Sequence, residues 1–261
     1  MTRMVQSLGA AILDQLAHLG RMGLFLVYMI RGIVKPPGKL WSVIKQIHFI
    51  GTKSFFVIGF TAAFTGMVLG LQGYYTLAKF GSEGLLGSGV ALSLIRELGP
   101  VLTALMVTGR AGSAICAEIG IMRIDEQIDA LECMAIDPYS YLITPKLLAG
   151  LVCLPLLTAY CDVVGILGGY LVGVDLLGVS PGAYLSGVEN SVVWKDVYMG
   201  MVKSLGFAVL MIWICTYKGF YAGVDEGNFG PEQVGRATTN AVVLSSVSIL
   251  AADYVVTSIL L

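Results

Sequence analysis

Residues 54–78 have the sequence SFFVIGFTAAFTGMVLGLQGYYTLA, with no charged side chain over 25 positions. A helix needs about 20 mostly apolar residues to cross the hydrocarbon core of a bilayer, so this stretch is long enough to span a membrane. Gly66 and Gly70 have the Gly-x-x-x-Gly spacing of closely packed membrane helices, a weak signal in a glycine-rich chain. The stretch predicts a membrane-spanning helix.

The composition of the whole chain agrees with this prediction. Of the 261 residues, 56% are apolar and 13% are charged, and the mean hydropathy is +0.82. An ordinary soluble domain has about 25% charged residues, so this chain lacks the polar side chains needed to cover a soluble surface. The surplus of apolar side chains must face lipid or another subunit.

Four further stretches are apolar enough to cross a bilayer, which predicts an all-α integral membrane fold with five spans. Residues 90–118 form the most interrupted stretch, because Pro100 and four charged side chains lie inside or near it: Arg96, Glu97, Arg110 and Glu118. The other three stretches contain one charged residue each: Asp162 in 147–174, Lys203 in 197–217 and Asp253 in 237–261.

The first 53 residues differ from the rest and predict an interfacial segment, followed by a five-span domain over residues 54–261. They contain seven of the 16 basic residues, interleaved with apolar ones, as in an amphipathic helix lying on a membrane surface. Pro36, Pro37 and Gly38 predict a break in it. A short extra span over residues 22–34 is the alternative, but charges bracket only a short apolar run there.

The same basic side chains predict the orientation, because cytoplasmic segments of membrane proteins are enriched in Lys and Arg. We expect a cytoplasmic N-terminus, and five spans then put the C-terminus on the far side. The loops over residues 119–146 and 218–236 would be cytoplasmic. The loops over residues 79–89 and 175–196 would lie outside.

The loop over residues 119–146 contains a pattern typical of a short amphipathic helix. Apolar residues recur in an i, i+4, i+7, i+11 series: Ile124, Ile128, Leu131 and Ala135. Pro138 is expected to end this helix.

Acidic residues form a stripe on another face of the same predicted helix: Asp125, Asp129 and Glu132, with Glu126 nearby. A helix lying on the membrane surface is one interpretation. An anionic cytoplasmic leaflet would repel these acids, however, whereas a groove in a partner protein could accept the apolar ridge and pair with the charges. We therefore favour a docking helix.

Arg96 and Glu97 are adjacent and point about 100° apart on a helix, so neither can neutralise the other well and each needs a separate partner or water. Charged side chains in a membrane span usually face the bundle interior or a wet cavity, which predicts a polar region that accommodates a charged head group. The alternative is that both lie at the interface and extend to water. Lys203, Asp162 and Asp253 are candidates for structural pairing, with the pairs unassigned.

Several catalytic and binding classes lack their motifs here. No Walker A motif, Gly-x-x-x-x-Gly-Lys-[Ser/Thr], occurs, so we expect ATP hydrolysis, if any, on a separate subunit. The only histidines, His18 and His48, lie far in sequence from any acidic cluster, which argues against a zinc hydrolase or a Ser-His-Asp enzyme. The five scattered cysteines predict neither a metal site nor a disulfide, and a net charge of −1 without a basic stripe argues against nucleic acid binding.

Residues 96–138, RELGPVLTALMVTGRAGSAICAEIGIMRIDEQIDALECMAIDP, closely resemble the signature of the MlaE family. GMVLGLQGY (66–74), LPLLT (154–158) and GRATT (235–239) are similar to the family as well. Members of this family are permeases of the Mla phospholipid ABC transporter of Gram-negative bacteria and of other lipid transporters of the MCE type, including chloroplast ones. The resemblance covers almost the whole chain and is looser over the first 50 residues.

The resemblance implies a multi-pass homodimer in the bacterial inner membrane, with a cytoplasmic N-terminus and a periplasmic C-terminus. The family's helix between spans two and three, about residues 123–137 here, is a coupling helix that inserts into an MlaF-type ATPase. The implied contacts are Arg123, Glu126, Asp129, Leu131, Glu132 and Met134.

The resemblance also implies the remaining partners and the substrate. An MlaB-type STAS-domain protein binds the ATPase, and a hexameric MlaD-type MCE protein lies on the periplasmic face. This chain would be a non-catalytic permease without a cofactor, since ATP and Mg are bound by the ATPase, and the complex would maintain outer-membrane lipid asymmetry. The implied lining of the phospholipid cavity is Leu69, Leu77, Phe80, Arg96, Glu97 and Leu98.

Two other functions are less compatible with the sequence. An ion-coupled secondary transporter of an amphipathic substrate could use Asp162 or Asp253 as proton carrier, but such folds usually contain two internal repeats, and none is evident in five spans. A membrane-embedded enzyme would need a nucleophile with a base or paired carboxylates, and no histidine follows His48.

Overall fold

The computed structural model describes residues 2–34, 40–223 and 230–260, and these residues form helices and turns without a strand. The α-helices are α1 (Thr2–Val34), α2 (Leu40–Ile47), α3 (Lys53–Ala78), α4 (Leu86–Ser93), α5 (Gly99–Val107), α6 (Ser113–Ile124), α7 (Gln127–Cys133), α8 (Thr144–Tyr170), α9 (Pro181–Ser191), α10 (Trp194–Phe220) and α11 (Pro231–Leu260). π-Helical turns join α2 to α3 (His48–Thr52), α4 to α5 (Leu94–Leu98) and α5 to α6 (Thr108–Gly112) without a break. Two more lie directly before and after α8, at Tyr139–Ile143 and Leu171–Leu176.

Five continuous helices among the described residues are long and apolar enough to cross a membrane, which confirms the predicted number of spans. They are span 1 (Leu40–Ala78), span 2 (Glu83–Ile124), span 3 (Tyr139–Leu176), span 4 (Trp194–Phe220) and span 5 (Pro231–Leu260). The chain is therefore a multi-pass, all-α membrane protein.

The helix of span 1 begins well before residue 54. α2, the π-helical turn and α3 follow one another directly, so the helix runs through the predicted boundary at residue 53 without a turn. The division into segments 1–53 and 54–261 stays a prediction. The predicted break at Pro36, Pro37 and Gly38 lies outside the described residues.

α1 is a single helix that covers residues 22–34, and it is not one of the five candidate spans. Phe25 is buried and meets the rings of Tyr139, Tyr217 and Phe220 edge-on, with centroids 5.3 to 5.7 Å apart. Aromatic pairs of this geometry stabilise packing beyond the area they bury. α1 is thus attached to spans 3 and 4, and its location on the membrane surface stays a prediction.

Spans 1 and 3 touch backbone to backbone. A Cβ atom at Gly66 would overlap the carbonyl group of Gly165, and one at Gly70 would lie 3.0 Å from the carbonyl oxygen of Gly169. The Gly-x-x-x-Gly spacing of α3 therefore faces a second one in α8, which confirms close packing there. Glycine permits this approach because it has no side chain between the two helices.

The π-helical turn at the start of span 1 is stabilised by an arginine from span 2. Arg110 donates from Nε to Ser54 Oγ at 2.9 Å and from Nη2 to the carbonyl oxygens of Phe49 and Ile50. Polar groups inside a membrane need protein partners because lipid offers none. Arg110 therefore joins spans 1 and 2.

α9 lies between spans 3 and 4 in sequence and packs against α4. Tyr184 is fully buried, and its hydroxyl donates to the carbonyl oxygen of Ile166 at 3.0 Å. Burial raises the pKa of Tyr184 to about 12, which extends to higher pH the range in which the protonated phenol donates this hydrogen bond. Ser88 donates to the carbonyl oxygen of Gly187 at 3.0 Å, which also holds α9 on α4.

We predict that Gly66→Ala destabilises the protein by about 2 kcal/mol or more, because the new methyl group forces spans 1 and 3 apart. Thermal unfolding of the detergent-purified protein measures this change. Gly206→Ala in span 4 is the matched control, since no atom lies within 4 Å of its Cβ position. Equal melting temperatures for the two variants would contradict the packing argument.

Candidate functional site

A buried cation connects three spans on the side of the bundle where spans 2 and 4 begin. Lys203 in α10 is fully buried, and its Nζ lies 2.5 Å from Glu97 Oε2, 3.0 Å from Asp253 Oδ1 and 2.8 Å from the carbonyl oxygen of Arg96. Thr257 of span 5 donates to the carboxylate of Glu97 at 3.3 Å. The structure thus pairs Lys203 with both Glu97 and Asp253, an assignment that the sequence left open.

Arg96 has a different partner. Its Nε donates to Asp196 Oδ1 at 2.8 Å, and Asp196 Oδ2 accepts the backbone N–H of Val193 at 3.1 Å at the start of α10. The prediction that Arg96 and Glu97 need separate partners is confirmed. Their side chains are 39% and 40% exposed, so both are only partly buried within a single chain.

An apolar cleft lies between the end of α3 and α4. Its volume is about 340 Å³, within the range of small-molecule sites. Leu69 and Leu77, two of the residues predicted for the lipid cavity, line this cleft, and the other lining residues are Gln72, Gly73, Thr76, Leu86, Gly89, Val90 and Ser93.

Four predicted cavity residues are not part of the cleft lining. Phe80 follows the end of α3 and is 77% exposed, and Leu98 packs beside the cluster around Tyr184. Arg96 and Glu97 follow the cleft-lining Ser93 along span 2, within the next turn of helix. The predicted cavity lining did not include the polar residues Gln72, Thr76 and Ser93. Polar residues at helical spacing carry no signal unless the facing helix is known. Leu69, Gly73 and Leu77, by contrast, share one face of α3 and could be grouped from their spacing.

The helix predicted over residues 123–137 is shorter in the structure, and both of its predicted ends are wrong. α7 comprises Gln127–Cys133 only, because Glu126 has a left-handed backbone (φ 56) and separates it from α6. Ala135 has φ 57, and the helix ends before it, five residues ahead of Pro138. The apolar series from Ile124 to Ala135 is therefore not one ridge: Ile124 belongs to α6, and Ala135 lies beyond α7.

The predicted coupling residues divide between the interior and the surface. Ile128 is buried and Leu131 is half-buried, so the apolar face of α7 packs on its own chain. Four predicted residues are exposed: Glu126, Asp129, Glu132 and Met134.

Arg123 lies in the last turn of α6 and contacts α7 through its side chain. Its Nη1 donates to Asp129 Oδ1 at 2.6 Å, and its guanidinium lies 5.8 Å from the ring centroid of Phe220 in span 4. Such cation–π contacts add to the ion pair. Arg123 and Asp129 thus act within the chain, and Glu126, Glu132 and Met134 form the free surface of this region.

Asp162 Oδ1 in span 3 is buried without a hydrogen bond, and no ion pair joins Asp162 to another described residue. The Asp253 carboxylate forms an ion pair with Lys203, which makes Asp253 a poor proton carrier for the alternative of an ion-coupled transporter.

All five cysteines are free, four of them buried and Cys133 exposed on α7. Among the described residues no three His, Cys, Asp or Glu side chains form a group suited to a metal ion.

Comparison with known proteins gives consistent matches over most of the chain. The family model described as Permease MlaE matches residues 43–259. The chain is 41% identical to the intermembrane phospholipid transport system permease protein MlaE of Haemophilus influenzae, over 98% of this chain and 97% of that protein. It is 40% identical to a probable ABC transporter permease protein of Rickettsia bellii, over 99% and 98%. The chloroplastic protein TRIGALACTOSYLDIACYLGLYCEROL 1 of Arabidopsis thaliana is 34% identical over 83% of this chain and 61% of that protein.

We predict that Lys203→Met destabilises the protein by about 3–5 kcal/mol, because it leaves two carboxylates close together without a cation. The triple variant Lys203→Met, Glu97→Gln, Asp253→Asn removes these charges together and should recover much of the loss. Chemical unfolding of the three proteins in detergent measures both steps. A triple variant as unstable as Lys203→Met alone would show that the charges are not the cause.

Proposed function

The chain belongs to the MlaE permease family, and from this premise we propose that it is the membrane-spanning subunit of an ATP-driven phospholipid transporter. It moves phospholipid between the bacterial inner membrane and a hexameric MCE protein in the periplasm, and the transport maintains outer-membrane lipid asymmetry. The observation that carries the proposal is the arrangement along span 2, which contributes to an apolar cleft at one end and continues to the exposed acidic region around α7 at the other.

The cleft has the chemistry that an acyl chain requires. Leu69, Leu77, Leu86 and Val90 provide aliphatic walls, and close packing of an acyl chain against such walls is favourable. Polar contacts come only from Gln72, Thr76 and Ser93. A lipid tail fits this lining better than a charged solute does.

Arg96 supplies a contact for the lipid head group beside the cleft. Among the described residues it donates only its Nε–H, to Asp196, so the terminal N–H groups of its partly exposed guanidinium can bind a phosphate. Glu97 is held by Lys203 and so keeps the adjacent turn of span 2 in place. The head group thus lies at the level of Arg96 while a tail enters the cleft.

The ATPase binds at α7, on the cytoplasmic side that the basic N-terminal segment predicts. Glu126, Glu132 and Met134 are exposed there, and these acidic and apolar side chains match a groove with basic edges. ATP and Mg belong to that ATPase, which also binds a STAS-domain protein. Arg123 holds α7 to span 2 and contacts span 4, so a push on α7 reaches both.

Transport follows from movement of span 2 in a homodimer. The clefts of the two copies face each other across the dimer. Closure of the ATPase dimer then moves the two α7 helices. Span 2 is one helix of about 60 Å, at 1.5 Å per residue, so motion at α6 is transmitted to α4 and narrows the cleft. The lipid is then displaced toward the MCE ring.

We predict that the double variant Glu126→Lys, Glu132→Lys weakens ATPase association about tenfold or more, because it places like charges against the basic edges of the groove. Asp129 is left unchanged, since its pair with Arg123 would confound the result. Co-purification from mild detergent gives the measurement. Glu189→Lys on the exposed face of α9 is the control, and full association of the double variant would refute docking at α7.

We predict that Gly89→Leu slows lipid transport about tenfold while the complex still assembles, because the side chain fills the cleft without meeting packed atoms within 4 Å of its Cβ. Gly206→Leu in span 4 also adds a side chain at a position with open space, away from the cleft lining. Outer-membrane phospholipid exposure in cells reports transport. Normal lipid asymmetry in the Gly89 variant would argue against the cleft as the lipid path.

A further inference from the structure

A second crevice lies between spans 2, 3 and 4, and none of its lining residues belongs to the cleft between α3 and α4. Its volume is about 200 Å³. Its walls are mainly apolar, and two polar side chains of α8, Asp162 and Thr158, line it as well. The apolar lining residues are Ile95, Ala159, Val163, Ile166, Val197, Gly200 and Met201.

The two polar side chains in the crevice lack partners. Asp162 Oδ1 and Thr158 Oγ1 are buried without a hydrogen bond, and Thr158 is only 3% exposed. Two other buried hydroxyl groups of the spans do find acceptors, since Thr108 and Thr216 donate to carbonyl oxygens four residues earlier, at 2.7 and 2.6 Å. Thr103 Oγ1 in span 2 is unsatisfied as well, but it does not line the crevice. A buried polar group without a partner is costly, so an unsatisfied carboxylate and hydroxyl one turn apart indicate a missing donor.

The charge of Asp162 has no counterion in the bundle. Lys203 faces Glu97 and Asp253, and Arg96 faces Asp196, so neither of these two cations pairs with Asp162. The Asp162 carboxyl group packs directly on the backbone at Gly99, where a Cβ atom would overlap Oδ1. The carboxylate is therefore packed against span 2 at the wall of the crevice.

The crevice opens toward lipid near the edge of the bilayer. Val163 on its rim is 58% exposed and Met201 is 42% exposed, so acyl chains can reach it from the side. Trp194 and Tyr198 at the start of span 4 are exposed, and such aromatic residues mark the membrane–water boundary. Val197 and Met201 belong to the first two turns of that helix, so the crevice lies just inside the boundary, at the depth of lipid head groups.

We propose that this crevice is a lateral binding site for a phospholipid whose head group carries a primary ammonium, with the ammonium on Asp162 and Thr158 and an acyl chain along Val163 and Met201. A primary ammonium donates up to three hydrogen bonds and neutralises the carboxylate. A trimethylammonium head group has no N–H to donate, so the site discriminates between the two. The site requires only that the chain lie in a bilayer and does not depend on transport.

The test uses the full chain reconstituted in vesicles that contain equal amounts of phosphatidylethanolamine and phosphatidylcholine with identical acyl chains. Mild detergent extraction and mass spectrometry then give the ratio of the two lipids retained by the protein. We expect the wild type to favour phosphatidylethanolamine about tenfold, as for one charge-assisted hydrogen bond. Asp162→Asn should lower the ratio to about one, and Thr158→Val, which keeps the side-chain volume, should lower it about threefold.

Two controls locate the effect. Asp175→Asn removes an exposed carboxylate from the end of the same span and should keep the wild-type ratio. Gly89→Leu fills the other cleft and should not lower the ratio. Equal retention of both lipids by the wild type, or an unchanged ratio in Asp162→Asn, would overturn the proposal. Loss of the preference in Gly89→Leu would assign the selective lipid to the transport cleft, which would overturn the lateral site and leave the proposed function intact.

Discussion

A buried ammonium inside a membrane-spanning bundle needs oxygen atoms from the protein, because lipid supplies none. Lys203 meets this requirement with Glu97, Asp253 and the carbonyl oxygen of Arg96, and it thereby joins spans 2, 4 and 5 at one level. Loss of Lys203 would leave two carboxylates without a cation, so the ammonium holds the three spans at fixed positions there. The α4 wall of the cleft and Arg96 are both positioned by this anchored turn of span 2.

Spans 1 and 3 are held together by a different kind of contact, one that requires the absence of side chains. Gly66 and Gly165 allow the two backbones to touch, and α3 is thereby placed where its Leu69 and Leu77 face α4. The cleft thus depends on two different contacts, a backbone contact that positions α3 and an ion cluster that positions span 2. Each lies beside the cleft and leaves its walls apolar.

Span 2 combines continuity with local irregularity. It runs from Glu83 to Ile124, yet π-helical turns at Leu94–Leu98 and Thr108–Gly112 interrupt its α-helical geometry. π-Helical turns are frequent at functional sites, and here they contain three charged side chains that contact neighbouring spans: Arg96, Glu97 and Arg110. Such a helix can transmit motion along its length while its charged turns keep fixed partners.

The sequence by itself determined the number of spans, the charged positions within them, the absence of a nucleotide-binding motif and the family, because these depend on composition and on local motifs. The tertiary structure decided which charges pair, since Lys203 and Glu97 are over a hundred residues apart and periodicity carries no information on such contacts. It also shortened the predicted helix to Gln127–Cys133, because left-handed residues at Glu126 and Ala135 are invisible in an apolar pattern. Asp162 was visible as a charge in a span, and only the packing of three helices around it revealed that it lacks a partner.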